Sequence, residues 1–286
     1  MSAVLHNVAT PASPGPAGAV PAGAVPEAYL GVWQRRLLTT RAGLRDETSE
    51  VFWLQTACLH ADLRLPQPGV RAASLETASH AEQLALADQA GFAGLTEVRG
   101  DRCQWHRLID FQPGGGPADI GRMRFEQPER LLEDGLDGSY HEVWQRLPES
   151  RGHNWGLWLQ AATGGRQGCL LVAGDYFLFA AERACALPDG GSLRQRLAEV
   201  GPAQRPALLG FELSFGRQRG GATPWRISHS TLPGRAGQAL LPADCPYASA
   251  AALPASALLA LGQHCPAGGW VALAPPPLPA SQENHP

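Results

Sequence analysis

Apolar and polar residues alternate with a period of two along most of the chain, in short runs broken by Gly, Pro and Asp. That is the pattern of antiparallel strands with one buried face. It predicts strands over 29–38, 51–58, 59–65, 95–99, 104–111, 120–125 and 140–146, and in the second half over 169–173, 175–183, 207–217 and 223–232, with 258–262 and 270–274 available to complete it. Two helices interrupt them. Ser79-His80-Ala81-Glu82 fits a capping box, followed by an apolar stripe that Gly91 is expected to stop, and Ser192 caps a second short helix over 193–200. His80 is then a first-turn surface residue.

The stretch 102–147 concentrates His, Asp, Glu, Arg and Trp on alternating positions, so a site is expected there. Gly100-Asp101 fits the centre of a tight hairpin, which pairs Glu97 with Gln104 and Leu95 with His106. Glu97, His106 and Asp110 then share one side of the sheet, where a carboxylate can orient an imidazole. Trp105, Arg107, Ile109 and Phe111 form the other face. If that is the core face, His106 and Asp110 lie in solvent, and the pattern alone favours this plainer arrangement. The same ambiguity holds for His60, Asp62 and Arg64 against Ala61, Leu63 and Leu65, and for Arg122 and Arg124, which share a face. A solvated face suits 140–146 poorly. Tyr140, Glu142, Trp144 and Arg146 align there, and aromatic rings among charges imply a partly buried polar network whose charges must be paired.

Composition narrows the classes. The chain has 286 residues, 44% hydrophobic content and a net charge of −3, which fits a globular protein of one large or two ordinary domains. Every cation is arginine, and with no lysine and no basic run the electrostatic footprint of a nucleic-acid partner is missing. Schiff-base chemistry on lysine is excluded. The 6 cysteines are scattered, without a CxxC pair or zinc spacing, so reduced thiols in a cytoplasmic protein are expected. No apolar run reaches membrane-spanning length, and no membrane partner is expected. Residues 1–28 form a low-complexity Ala/Pro/Gly arm, and 275–286, with His285, a frayed tail. Gly114-Gly115-Gly116-Pro117 is wrongly spaced for a phosphate cradle, and no standard catalytic signature occurs.

Gly31-Val32-Trp33 on the first strand resembles the Gly-x-Trp signature of calycins, the superfamily of lipocalins and their relatives. In that resemblance an arginine from the last strand packs across the Trp ring, and Arg146 is the candidate. Trp155-Gly156-Leu157-Trp158 repeats Gly-x-Trp about one small barrel further along. The resemblance implies a mainly β chain of two tandem antiparallel lipocalin-like barrels with a few short helices, over 29–150 and 151–274. His229, on an otherwise apolar face of the second, reads as a hydrogen-bonded core histidine.

Three functional readings follow. In the first, the protein is a soluble small-molecule binder whose first barrel holds an apolar or organic-acid ligand, with no cofactor. Trp33, Trp53, Trp105 and Trp144 supply the walls, Arg122, Arg124 or Arg146 pairs with a carboxylate, and Glu142 and His60 add polar groups. The second barrel supports the first or forms a homodimer. In the second reading the chain is a cofactor-free isomerase, hydratase or lyase: His106 moves a proton, Asp110 or Glu97 orients it, and Tyr140 or an arginine stabilises an oxyanion. That reading requires the His106 face to point into the lumen, and a pocket holding His106, Asp110 and an arginine would favour it. The third rests on resemblance to nitrobindin-like barrels and implies haem on His141 or His106.

Overall fold

The computed structural model describes residues 24–219, 223–246, 248–259, 261–262 and 265–278. Residues 1–23 of the expected arm and 279–286 of the expected tail, including His285, lie outside them. Residues 24–28, assigned above to the arm, include Val25, which is buried and donates its N–H to the Ala57 carbonyl at 2.8 Å.

Nine strands build the first half: β1 (Gly31–Thr40), β2 (Arg45–Asp46), β3 (Glu50–Gln55), β4 (Leu59–Leu65), β5 (Ala90–Arg99), β6 (Arg102–Asp110), β7 (Asp119–Gln127), β8 (Arg130–Gly135) and β9 (Tyr140–Arg146). They pair antiparallel in sequence order, except that β2 is a short flap on the far end of β1. Pairing of β1 with β9 closes the other eight into a barrel. The hairpin at Gly100-Asp101 has the expected register, Glu97 opposite Gln104 and Leu95 opposite His106. β8 was not expected, because its run is short and crowded between turns.

Two bulges decide which side chains enter the lumen. One lies on β1 between Arg35 and Leu37, the other on β6, where Leu108 is inserted opposite Ala93 and Gly94. At the second, Gly94 passes so close to β6 that an added Cβ would meet the His106 carbonyl oxygen at 1.9 Å. The extra residue, Leu108, breaks the alternation of β6. Trp105 therefore packs in the lumen while Ile109 and Phe111, expected on its face, pack on the outer wall.

The second half is not a barrel. Strands β10 (Asn154–Ala161), β11 (Gln167–Ala173), β12 (Tyr176–Ala181), β13 (Glu212–Arg217), β14 (Arg226–Ser230) and β15 (Trp270–Leu273) form an open sheet in the order β14-β13-β12-β11-β10-β15. The physical reason is legible in β11 and β12, which are apolar on both faces and so need two covered faces rather than one lumen. One face packs on the barrel's outer wall, where Phe52 stacks on Phe215 with ring centroids 4.3 Å apart. The other is covered by Trp225, Leu240, Leu241, Leu261 and their neighbours. The repeated Gly-x-Trp accordingly differs in setting. Trp158 belongs to the layer between the sheets, and a Cβ on Gly156 would meet Leu59 of the barrel at 3.0 Å.

Helix α1 (His80–Ala87) carries the expected capping box but ends at Asp88, and Gly91 is already part of β5. It packs with α2 (Leu193–Glu199), also box-capped, and α3 (Arg205–Leu209), which replaces the start of the strand expected over 207–217. A fourth short helix, α4 (Ala255–Leu258), precedes β15.

Candidate functional site

The lumen is filled by its own side chains. Trp33, Trp53, Trp105 and Trp144 do converge there, but on one another: Trp33 lies 6.3 Å, Trp105 5.5 Å and Trp144 5.9 Å from Trp53 between ring centroids. The cavity left between Trp53, Phe92, Trp105, Trp144 and the charges above them is about 10 Å³. That is room for one water, not for an organic ligand or a haem.

Above this aromatic layer lie the charges that the strand pattern left ambiguous. Arg35 bridges Glu142 at 2.8 Å and Asp46 at 2.7 Å. Asp62 takes Arg64 at 2.6 Å, and Arg107 holds Asp119 at 2.6 Å and Asp110 at 3.1 Å while lying 3.7 Å from the Phe92 ring centroid. The His60, Asp62 and Arg64 face thus points inward, with its charges paired as burial requires. Glu133 on β8, which the sequence pattern did not single out, accepts from the Tyr140 hydroxyl at 2.8 Å and from Trp144 Nε1 at 3.0 Å. No cation pairs with it among the described residues. Burial and the neighbouring Glu142 push its carboxyl well above the ordinary range.

Deeper in the lumen, His60 is fully buried. Gln55 turns its amide nitrogen to the Thr56 and Leu59 carbonyls, so its oxygen accepts from Trp53 Nε1 at 3.1 Å and from Thr96 Oγ1 at 2.8 Å. Thr96, having donated, can only accept from His60 Nδ1 at 3.0 Å. The imidazole is therefore neutral with its proton on Nδ1. Burial, reinforced by Arg107 and His106, brings its pKa down to about 3.

The remaining expected site residues are scattered. Arg122 and Arg124 point out of the barrel, since Met123 between them points in, and Arg122 pairs with Asp101 at the surface. Arg146 is buried beneath Trp33, donating to the Ala28, Leu30 and Pro128 carbonyls. Its Nε lies 2.7 Å from Glu129 Oε2, so the guanidinium is committed to the protein's own groups. His141 sits at the barrel's rim against Asp134, 2.7 Å away. Tyr140 belongs to Glu133 and not to His106. In the second half, His229 is half-buried beside Phe52 and bonded to Ser228, with its pKa lowered by burial.

His106 itself faces outward, opposite Leu95, with Nε2 3.5 Å from Glu97 Oε2. The lumenal placement that the enzyme reading required is absent, because the hairpin register puts the His106 row on the outer wall. Asp110 does not orient this imidazole either: its carboxylate is taken by Arg107 and by the Gln112 N–H at 3.0 Å.

His106 and Asp110 do line a space of a different kind. Between β6, the following loop with Gly114-Gly115-Gly116, the turn before β11 and the segment 182–189 after β12 lies an open cleft of about 770 Å³. Arg166, Arg183, Cys185 and Phe211 contribute from the second half. Arg166 is turned to the Glu182 carbonyl at 2.5 Å, and Glu182 Oε2 accepts the Gln167 N–H at 2.8 Å. Arg183 is buried; Nε donates to the Leu208 carbonyl at 2.8 Å and Nη2 to that of Phe111 at 2.5 Å. Burial draws its pKa down to about 10. The sequence signal for it was available, as a charged residue closing the apolar run 175–183. Among the described residues no group of three or more His, Cys, Asp or Glu is placed to hold a metal, and no helix is long and apolar enough to cross a membrane.

In class, then, the chain is a closed eight-stranded antiparallel barrel with an open six-stranded sheet packed on its wall. No protein-family description and no curated protein sequence matches it. Among solved structures it is similar to a lipocalin-like protein from Bacteroides uniformis, at 13% identity and a TM-score of 0.30 over 42% of this chain and 99% of that one. An uncharacterized protein from Saccharomyces cerevisiae is similar at 12% identity and 0.44, over 70% of this chain and 84% of its own. An uncharacterized protein from Bacteroides eggerthii follows at 9% and 0.29, over 42% and 99%. The barrel described above stands on its own strand ladder and draws nothing from these likenesses.

Proposed function

We propose that the protein binds a small organic molecule, and that it does so on the flank of the barrel, in the cleft against the open sheet, rather than in the lumen. One comparison of volumes carries this reading: about 770 Å³ in the cleft against about 10 Å³ in the barrel. Ligand sites for drug-sized molecules fall in the range of roughly 300–1,000 Å³ and favour junctions between structural units. The cleft meets both conditions and mixes polar groups with the partly exposed Leu108 and Leu187. The test is native mass spectrometry of the protein purified from its own host, against the denatured mass, for wild type and Ala186→Trp, which narrows the cleft. A non-covalent adduct of a few hundred daltons, lost in the variant, is expected. An adduct that survives the variant, or none in either, counts against the cleft.

A second reading, proton-transfer catalysis, is favoured by the position of His106 on that cleft with Glu97 beside it. It predicts that His106→Gln retains the adduct while abolishing turnover of a metabolite consumed by wild type in a cell extract. Unchanged turnover removes it.

A further inference from the structure

Resting on the cleft reading, we infer that the ligand is an organic carboxylate with an apolar body, and that Arg183 is its anchor. Arg183 is only 6 residues beyond Phe177 in the chain's most apolar strand, yet its charge is kept inside the protein. It is 7% exposed, and no carboxylate forms an ion pair with it among the described residues. Two backbone carbonyls fix the plane of the guanidinium, and the rings of Phe111 and Phe211 flank it at 5.7 Å and 5.3 Å from their centroids. Nη1 makes no hydrogen bond and is left to the cleft that Arg183 lines.

A buried cation without an ion-pair partner is costly, and the fold has retained one at the wall of an open cleft of about 770 Å³. The neighbouring carboxylates relieve it only in part: Asp110 and Glu182 favour its charge from a distance, and neither forms an ion pair with it. Asp110 and Asp119 are both committed to Arg107, and Glu182 is turned to the Gln167 amide. Asp189, at the exposed rim, makes no ion pair among the described residues. These same acids argue for a monoanion. With Asp110, Asp119, Glu182 and Asp189 around the cleft, a dianionic phosphate meets repulsion that one free guanidinium nitrogen does not offset. A carboxylate can take the Nη1 donors in a charge-assisted bond, with the rest of the ligand against the partly exposed Leu108 and Leu187.

The experiment titrates benzoate, benzyl alcohol and inorganic phosphate into the full chain at low ionic strength, by ligand-observed NMR. Wild type, Arg183→Gln, Arg183→Lys and the surface control Arg122→Gln are compared. Benzoate is expected to bind wild type at least about 10-fold more tightly than benzyl alcohol does, which is the scale of one charge-assisted hydrogen bond. Arg183→Gln should remove that preference, Arg183→Lys should keep part of it, and Arg122→Gln should leave it unchanged. Benzyl alcohol binding as well as benzoate, with Arg183→Gln without effect, overturns the inference and leaves the cleft reading in place. Phosphate binding in preference to benzoate overturns the carboxylate assignment. No binding of any probe, together with no adduct in the native mass spectrum, removes both. If Arg183→Gln loses its wild-type circular dichroism, the wild-type preference and Arg183→Lys decide the matter.

Discussion

Arg146, the last residue of β9, lies across the indole of Trp33 near the start of β1, its guanidinium carbon 4.1 Å from the ring centroid. The contact ties the strands whose pairing closes the barrel. Gly31 makes room for it: its φ of +125° is open to glycine, and a Cβ there would stand 3.1 Å from Arg146 Nη1. Arg146→Lys loses the planar donors to three carbonyls and the stacking face together. We expect a loss of about 2–4 kcal/mol in urea unfolding from the broken buried hydrogen bonds and cation–π contact. A loss below about 0.5 kcal/mol, the scale of an ordinary surface substitution, would show that the closure does not depend on it.

His60 makes the fold acid-sensitive. Its folded pKa of about 3 lies below the ordinary 6.5, so below pH 6.5 the unfolded chain takes up a proton that the folded one refuses. Stability from this group is present above pH 6.5 and falls on acidification at up to about 1.4 kcal/mol per pH unit. His60→Gln should flatten the decline in denaturation midpoint between pH 6.5 and 4. A decline as steep as wild type would place the sensitivity elsewhere.

Glu133 acts in the opposite direction. Its folded pKa is raised, so above the unfolded value near 4.5 the unfolded chain releases a proton that the folded one keeps, and stability falls with rising pH. Glu133→Gln can keep its oxygen on Trp144 Nε1 and donate from its amide nitrogen to the Tyr140 hydroxyl, without that penalty. The variant should melt higher than wild type at pH 8, by several degrees for about 1 kcal/mol, with the gain shrinking toward pH 4.5. A lower melting temperature at pH 8 would mean that Glu133 is ionised in the folded protein.

Gly94→Ala tests the bulge that turns Ile109 and Phe111 to the outer wall. A methyl group 1.9 Å from the His106 carbonyl cannot be accommodated without parting β5 from β6. The expected cost is about 3 kcal/mol or more, at the upper end for overpacking in a filled core. Hydrogen exchange should speed up at the β5 and β6 amides first. Uniform exchange with an unchanged midpoint would show that the bulge relaxes freely.

Phe52 and Phe215 couple the two halves. Phe215→Ala should lower stability by about 3–5 kcal/mol, the usual cost of deleting a buried phenyl ring. The halves should still unfold in one transition, because the apolar outer wall of the barrel needs the open sheet to cover it. Two separated transitions in wild type would contradict that coupling.

How much of this was legible depended on the range of the interaction concerned. The hairpin at Gly100-Asp101, the capping box at Ser79 and the Ser192 cap came directly from the sequence, since each is decided by residues within a few positions of one another. β8 and Glu133 did not. Their signal is a short run between turns, and only its neighbours on both sides make it a strand.

By itself the sequence determined a mainly β chain, the positions of most strands, and a concentration of Trp and charged residues in the first half. Tertiary structure decided the rest. In a strand of period two a single inserted residue exchanges the faces, so the bulges at Arg35/Leu37 and Ala93/Gly94 settle which polar rows are lumenal. Whether a sheet closes or stays open depends on what covers its second face, which for β11 and β12 arrives from the barrel wall and from residues far along the chain. The cleft is likewise assembled from segments on both halves, so no local pattern could place Arg183 and His106 on one cleft.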